Sequence, residues 1–304
     1  MMNRRILSLG ISLVLSIAVA PLAPAAPKKS SSSSKGSAAA NKSEPVEAYP
    51  AVEDGALPTI HAASAMVIDA QTGKVLYEHN ADQERPVAST QKLLTSLIIA
   101  DEGNLDATVH VEASDTWAEP SKLDIKPGEA YRRGDLLRVL LVKSMNDVAR
   151  CLARDNAGSL EAFASKMNAK AAQLGMSNSH FVNPNGLPIP GQYSCARDMA
   201  KVAMAAYRNR TIRSIVCLKD LTWRSPSGHV SVFHNTNKVL RNYALCNGMK
   251  TGYTEAAGHC LVSSAAGNGR EVISVVLGDS QEVWADSYRL LSWGIASQGV
   301  ASSN

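Results

Sequence analysis

The chain changes texture twice, and that alternation constrains its fold more than any single residue does. ASAMVIDAQTGKVLYEHNAD reads as a hairpin, with a strand near Ala65–Asp69, a turn at Gln71-Thr72-Gly73 and a strand near Lys74–His79. From about Asp115 to Tyr207, YRRGDLLRVLLVKSMNDVARCLARDN, SLEAFASKMNAKAAQLGM and ARDMAKVAMAAYRN carry apolar residues at helical spacing, and Gly175 and Asn185-Gly186 end segments. After about Val216 the strand texture returns. LKDLTWRS, NGMKTGYT, GHCLVSSAA and, past a turn at Gly267-Asn268-Gly269, REVISVVLG read as successive antiparallel strands, and DSYRLLSWGIAS closes as a helix. Strands at both ends must share a sheet. The predicted class is α/β plus all-α: an antiparallel β-sheet flanked by helices, with an inserted helical lobe at about 115–215. The cleft between sheet and lobe is the expected site.

Ahead of this body, Arg4 and Arg5 precede an apolar run from Ile6 to about Ala20. That run is shorter than the ~20 residues a membrane span needs, so 1–25 reads as a signal peptide, with Ala23-Pro24-Ala25 before the cut. No cysteine precedes Cys151, which excludes a lipid-modified N-terminal cysteine. Residues 26–57 form a Ser/Ala/Lys-rich linker and 58–304 a single body. The expectation is export to the periplasm or cell-wall space, without a stable membrane anchor. Of 31 basic and 27 acidic residues, six and four lie in the leader and linker, leaving the body nearly neutral. Nothing there points to a nucleic-acid surface, and none is expected. The five cysteines, Cys151, Cys195, Cys217, Cys246 and Cys260, show no C-x-x-C pair and read as mostly buried apolar residues, with one disulfide possible. No metal-ligand spacing of histidines, G-x-S-x-G elbow, Walker loop or G-x-G-x-x-G occurs.

Three short motifs remain. Ser89 and Lys92 are three apart at the start of a leucine-rich helix; Ser144 and Asn146 are two apart near a helix–loop junction; Lys250, Thr251 and Gly252 are consecutive on a strand. Each alone is weak. Ser32 and Lys35 repeat the first inside the linker, and Ser302-Ser303-Asn304 repeats the second at the C-terminus. Their order, with each on the element its chemistry needs, carries the weight. Such a triple set is a known signature of β-lactamases and penicillin-binding proteins.

With SAMVIDAQTGKVLYEHNAD, PVASTQK, FVNPNGLPIPGQYSCARDMA, GMKTGYTEAAGHCL, VVLG and LLSWG around them, the motifs make the chain resemble the low-molecular-mass penicillin-binding proteins. These are serine D-alanyl-D-alanine carboxypeptidases and endopeptidases of β-lactamase-like fold. The resemblance implies hydrolysis of D-alanyl bonds in peptidoglycan stem peptides through an acyl-serine, covalent inhibition by β-lactams, and neither metal nor cofactor. A helix N-terminus leaves the Ser89 N–H free for an oxyanion, and Lys92 shares its helical face. Lys92 becomes a base only if burial and a second cation lower its pKa, and the family pattern makes Lys250 that cation. The resemblance further implies that Ser144 relays a proton to the leaving amine, Asn146 holds Lys92 and the substrate backbone, Thr251 binds the terminal carboxylate, Gly252 keeps that approach open, and the Tyr253 N–H completes the oxyanion site.

Two departures stand out. GDSQEVWADS lacks the arginine that assists carboxylate binding in many relatives, which favours internal or cross-linked bonds as substrates. The chain also ends at Asn304 without the second β-domain and amphipathic anchor of many carboxypeptidases, a layout like that of the soluble endopeptidase branch. The alternatives are a β-lactamase, for which Asp147 is the nearest candidate acid, and a catalytically silent cell-wall-binding homologue.

Overall fold

The computed structural model describes residues 56–279 and 282–297, so the leader and nearly all of the linker lie outside the described residues. The N-terminal hairpin joins β1 (Ser64–Asp69) to β2 (Val75–His79). Its turn is held by Asp69, whose Oδ1 accepts from the Gln71 and Thr72 amides at 3.0 and 2.7 Å. On its other edge β1 pairs with β9 (Arg270–Asp279), far along the chain. β8 (Gly258–Gly267) and β7 (Cys246–Thr254) complete an antiparallel sheet of order β2-β1-β9-β8-β7. Both chain ends thus share one sheet, as their texture requires.

Strand periodicity sorts the core into two layers. Met66, Ile68, Val262, Ile273, Val275 and Leu277 face one side, where they join the helical lobe. Ala65, Val67, Leu261, Val272 and Val276 face the other, against Leu290, Leu291 and Ile295 of the C-terminal helix α8 (Val283–Ala296). Each large apolar side chain so buried contributes about 1.5–3 kcal/mol.

The lobe is built around α1 (Lys92–Glu102), buried on every side through Leu93, Leu94, Leu97, Ile98 and Ile99. A helix apolar all round belongs at the centre of a domain. Around it lie α2 (Arg133–Lys143), α3 (Asn146–Ala157), α4 (Leu160–Gln173), α5 (Ala196–Arg208) and α6 (Arg210–Val216). The long helical pattern through LLVKSMNDVA breaks at Ser144, which takes a left-handed backbone (φ 69°) and separates α2 from α3. Two short strands, β3 (Thr108–His110) and β4 (Ala130–Arg132), pair ahead of α2.

One expectation is corrected. LKDLTWRS does form a strand, β5 (Asp220–Arg224), but not in the main sheet; among the described residues it pairs only with β6 (Val230–His234), a strand the sequence reading missed. Leu221 and Trp223 point inward, and Trp223 stacks on Tyr131 of β4 at 5.5 Å between ring centroids. That contact with the lobe, rather than the β7 edge, takes up the inward-facing apolar side chains. A short helix, α7 (Lys238–Asn242), then leads into β7, which remains the edge of the main sheet. All five cysteines are free thiols, four of them buried, so the possible disulfide is not formed. Among the described residues, no helix is long and apolar enough to cross a membrane.

Candidate active site

Ser89 does not open the α-helix directly. It lies in a 3-10 turn, Ala88–Gln91, that runs into α1 at Lys92. The turn is clamped by two glycines. A Cβ on Gly252 of β7 would lie 2.8 Å from the Ser89 nitrogen, and one on Gly186 would collide with the Ala88 carbonyl oxygen. Between them Ala88 is held at φ 48°, a left-handed conformation that a residue with a Cβ adopts only when its surroundings impose it.

One turn on, Lys92 is fully buried. Its Nζ lies 2.7 Å from Ser89 Oγ, 2.7 Å from Asn146 Oδ1 and 2.5 Å from the Asn185 carbonyl oxygen. Burial holds the amine well below the usual lysine range, and the Lys250 charge pushes it the same way. Two of the three partners are pure acceptors. A neutral Lys92 therefore donates its two protons to Asn146 and Asn185 and turns its lone pair to Ser89, the one partner with a proton to give. In the ammonium form the Ser89 hydroxyl is left with the Asn185 carbonyl, at a longer 3.3 Å.

The second motif arrives from the α2–α3 break. The left-handed Ser144 turns its Oγ to accept from Lys250 Nζ at 2.8 Å. Asn146, at the first turn of α3, donates its side-chain amide to the Pro120 carbonyl at 2.6 Å and its backbone N–H to the Ser121 carbonyl, fixing the face it offers to Lys92. Asp147 beside it is fully buried and committed elsewhere. Its carboxylate accepts from the amides of Leu123 (3.0 Å), Ile125 (3.3 Å) and Val148 (2.9 Å), tying the preceding loop to α3. Burial still raises its pKa above the ordinary carboxylate value.

The third motif lies on the edge strand β7. Lys250 is 1 % exposed; its Nζ also donates to the Thr251 carbonyl at 2.9 Å, and burial pushes its pKa down to about 7. Thr251 Oγ1 lies 2.7 Å from Thr236 Oγ1. Tyr253 is 58 % exposed, with its ring 4.5 Å from the His259 ring on β8.

All three motifs thus meet in one place as two hydrogen-bonded groups, coupled through the Lys250 charge acting on Lys92. Ser89, Lys92 and Asn146 form one group, Ser144, Lys250 and Thr251 the other, with Gly252 packed on the Ser89 turn and Tyr253 next along β7. Two members escaped the sequence reading. Asn185 acts through its backbone carbonyl, and its only signal was the Asn-Gly turn that ends a segment. Thr236 lies between β6 and α7 in a stretch without a motif. Among the described residues, the one trio of metal-ligating side chains is His61, Glu282 and Asp286, and Arg289 already donates to both carboxylates at 3.1 and 2.8 Å.

Comparison with known proteins gives the family. Residues 51–281 match the family model described as D-alanyl-D-alanine carboxypeptidase. The D-alanyl-D-alanine endopeptidase of Escherichia coli is 35% identical over 243 residues, covering 78% of this chain and 78% of its own length. D-alanyl-D-alanine carboxypeptidase DacF of Bacillus subtilis is 35% identical over 224 residues, 72% of this chain, and the match spans 58% of that longer relative. The solved D-alanyl-D-alanine carboxypeptidase of Mycobacterium tuberculosis H37Rv is 33% identical, with a TM-score of 0.77 over 84% of this chain and 98% of that one. The resemblance read from the motifs and the inserted-lobe fold are both borne out: this chain belongs to the D-alanyl-D-alanine carboxypeptidase family.

Proposed function

We propose that the chain is an exported serine DD-peptidase that hydrolyses D-alanyl bonds of peptidoglycan stem peptides, with Ser89 as nucleophile. The observation that carries this reading is the 2.7 Å approach of Ser89 Oγ to a buried Lys92 whose other partners can only accept. In the acylation step Ser89 Oγ attacks the D-alanyl carbonyl carbon and its proton passes to Lys92 Nζ. The oxyanion is received by the backbone N–H groups of Ser89 and Tyr253; one such donor is worth about 2.7–4 kcal/mol. As the C–N bond breaks, Ser144 Oγ protonates the departing amine and is resupplied through Lys250. Asn146 holds Lys92, Thr251 meets the substrate carboxylate, and Gly252 lets the strand lie against the Ser89 turn. Water then releases the acyl group.

The leader at 1–25 would direct export, the linker at 26–57 would lead into the catalytic body at 58–304, and β-lactams would stop at the acyl-serine. The commitment of Asp147 to loop amides supports a peptidase over a β-lactamase, which needs a carboxylate free to position water. The test is the intact mass of the mature protein with and without benzylpenicillin, beside Ser89→Ala. A long-lived adduct of one penicillin, absent in the variant, is expected. Failure of the unmodified protein to form any adduct would sink the reading.

A further inference from the structure

Thr236 is placed with unusual care for a residue outside the motifs. The asparagine on each side of it is buried, and both spend their side chains on backbone. Asn235 Nδ2 donates to the Leu218 carbonyl at 2.9 Å, and its Oδ1 accepts from the Asn237 amide at 2.9 Å. Asn237 Nδ2 donates to the Gly248 carbonyl on β7 at 3.0 Å, while its Oδ1 accepts from the Val239 amide at 3.0 Å. The Thr236 amide itself donates to the carbonyl of Val142, two residues before Ser144. The segment is therefore pinned to the end of α2 and to β7, the elements that carry Ser144 and Thr251. Of these three residues only Thr236 is partly open to solvent, and its hydroxyl lies 2.7 Å from that of Thr251.

We propose that Thr236 is a positioning residue for carboxylate recognition: its hydroxyl donates to Thr251 Oγ1, so that the single proton of Thr251 is aimed at the carboxylate of the substrate. The assignment rests on the acyl-serine reading above. A threonine hydroxyl has one proton and can spend it on any acceptor within reach. A carboxylate only accepts, so Thr251 serves it only when that proton points outward. The Thr236 hydroxyl fills the other side of Thr251 Oγ1, and hydrogen bonds in such a chain polarise one another. The device matters more here because the run from Gly278 to Ser287 contains no arginine to hold a carboxylate by charge. A carboxylate site built on oriented hydroxyls discriminates less sharply against a neutral chain end than one built on a guanidinium. That suits a substrate range reaching beyond free C-termini.

The test compares acylation of Thr236→Val by benzylpenicillin and by its methyl ester, which has the same reactive ring but no carboxylate. The acid should react roughly tenfold more slowly than with the unmodified protein, the factor of one hydrogen bond toward a charged group, while the rate with the ester stays unchanged. Thr236→Ser should restore the acid rate. In a Thr251→Val background, Thr236→Val should cost nothing further. The readout is a ratio of two ligands on one preparation, so partial unfolding lowers both rates and leaves the ratio intact. Equal losses for acid and ester, no loss for the acid, or an additive double variant would overturn the assignment. An unmodified protein that forms no adduct at all overturns the acyl-serine reading instead.

Discussion

Replacing Lys250 with methionine should make the protein more stable while disabling it. The lysine is 1 % exposed, and burial pushes its pKa from 10.5 to about 7. The unfolded chain therefore holds a proton between pH 7 and 10.5 that the folded chain has released. Below pH 7 both states are charged, and the folded protein bears the full cost of burying the ammonium, on the order of 5 kcal/mol. Methionine removes that cost. It also removes the hydrogen bonds to Ser144 and the Thr251 carbonyl, which offset the gain by about 1 kcal/mol each. A net gain of about 2–3 kcal/mol corresponds to a Tm higher by about 4–10 °C. The gain should be largest at pH 6 and shrink steadily as the pH rises from 7 towards 10.5. Acylation should change as well. Without the Lys250 charge the Lys92 pKa rises, so the remaining reaction with benzylpenicillin should move to higher pH. Thermal unfolding at pH 6, 7.5 and 9, with acylation rates at each, measures both effects. A gain that does not vary with pH would assign it to packing rather than charge. A lower Tm at pH 6 would refute the reasoning, because the site would then favour the ammonium.

Two further substitutions probe the supports of the site. Asp147→Asn offers one acceptor oxygen to a place where three amides now converge, so the loop at 121–125 should loosen and stability fall by about 1–3 kcal/mol; hydrogen exchange at the Leu123 and Ile125 amides reads this directly, and unaltered protection there would contradict it. Gly186→Ala sets a Cβ against the Ala88 carbonyl at a backbone φ of 86°, so acylation at Ser89 should fall at least tenfold as the 3-10 turn is displaced, and an unchanged rate would show that the turn tolerates movement.

The parts of the site legible in the sequence are those where side-chain type and short spacing carry the chemistry. Ser89 and Lys92 meet because three residues make about one turn, whether 3-10 or α. Ser144 and Lys250 are 106 residues apart, and their 2.8 Å contact was foreshadowed only by motif order and resemblance. Asn185 was not legible because its contribution is a carbonyl oxygen that every residue owns, placed by chain path alone. Thr236 was missed because an isolated threonine between two asparagines signals a turn. In the fold, LKDLTWRS was legible as a strand, but strand texture does not say which partner a strand takes. Packing against Tyr131 settled that choice, and no local pattern could have done so.

The pairing of β1 with β9 has a consequence for the order of assembly. Ser64 lies opposite Leu277 and Asp69 opposite Val272, so one wall of the sheet is synthesised near the beginning of the chain and its partner near the end. Until β9 exists, the β1–β2 hairpin carries an open edge and has no sheet to join. The lobe waits in a similar way: α1 packs on α5 and α2 on α6, segments well separated in sequence, and such distant contacts form later than local ones. The candidate site follows the same order: the turn that carries Ser89 packs on Gly252 of β7, and Ser144 meets Lys250 of β7, so both wait for that strand. The candidate site is therefore assembled only once β7 has been made and the sheet that holds it, through β8 and β9, has closed on β1.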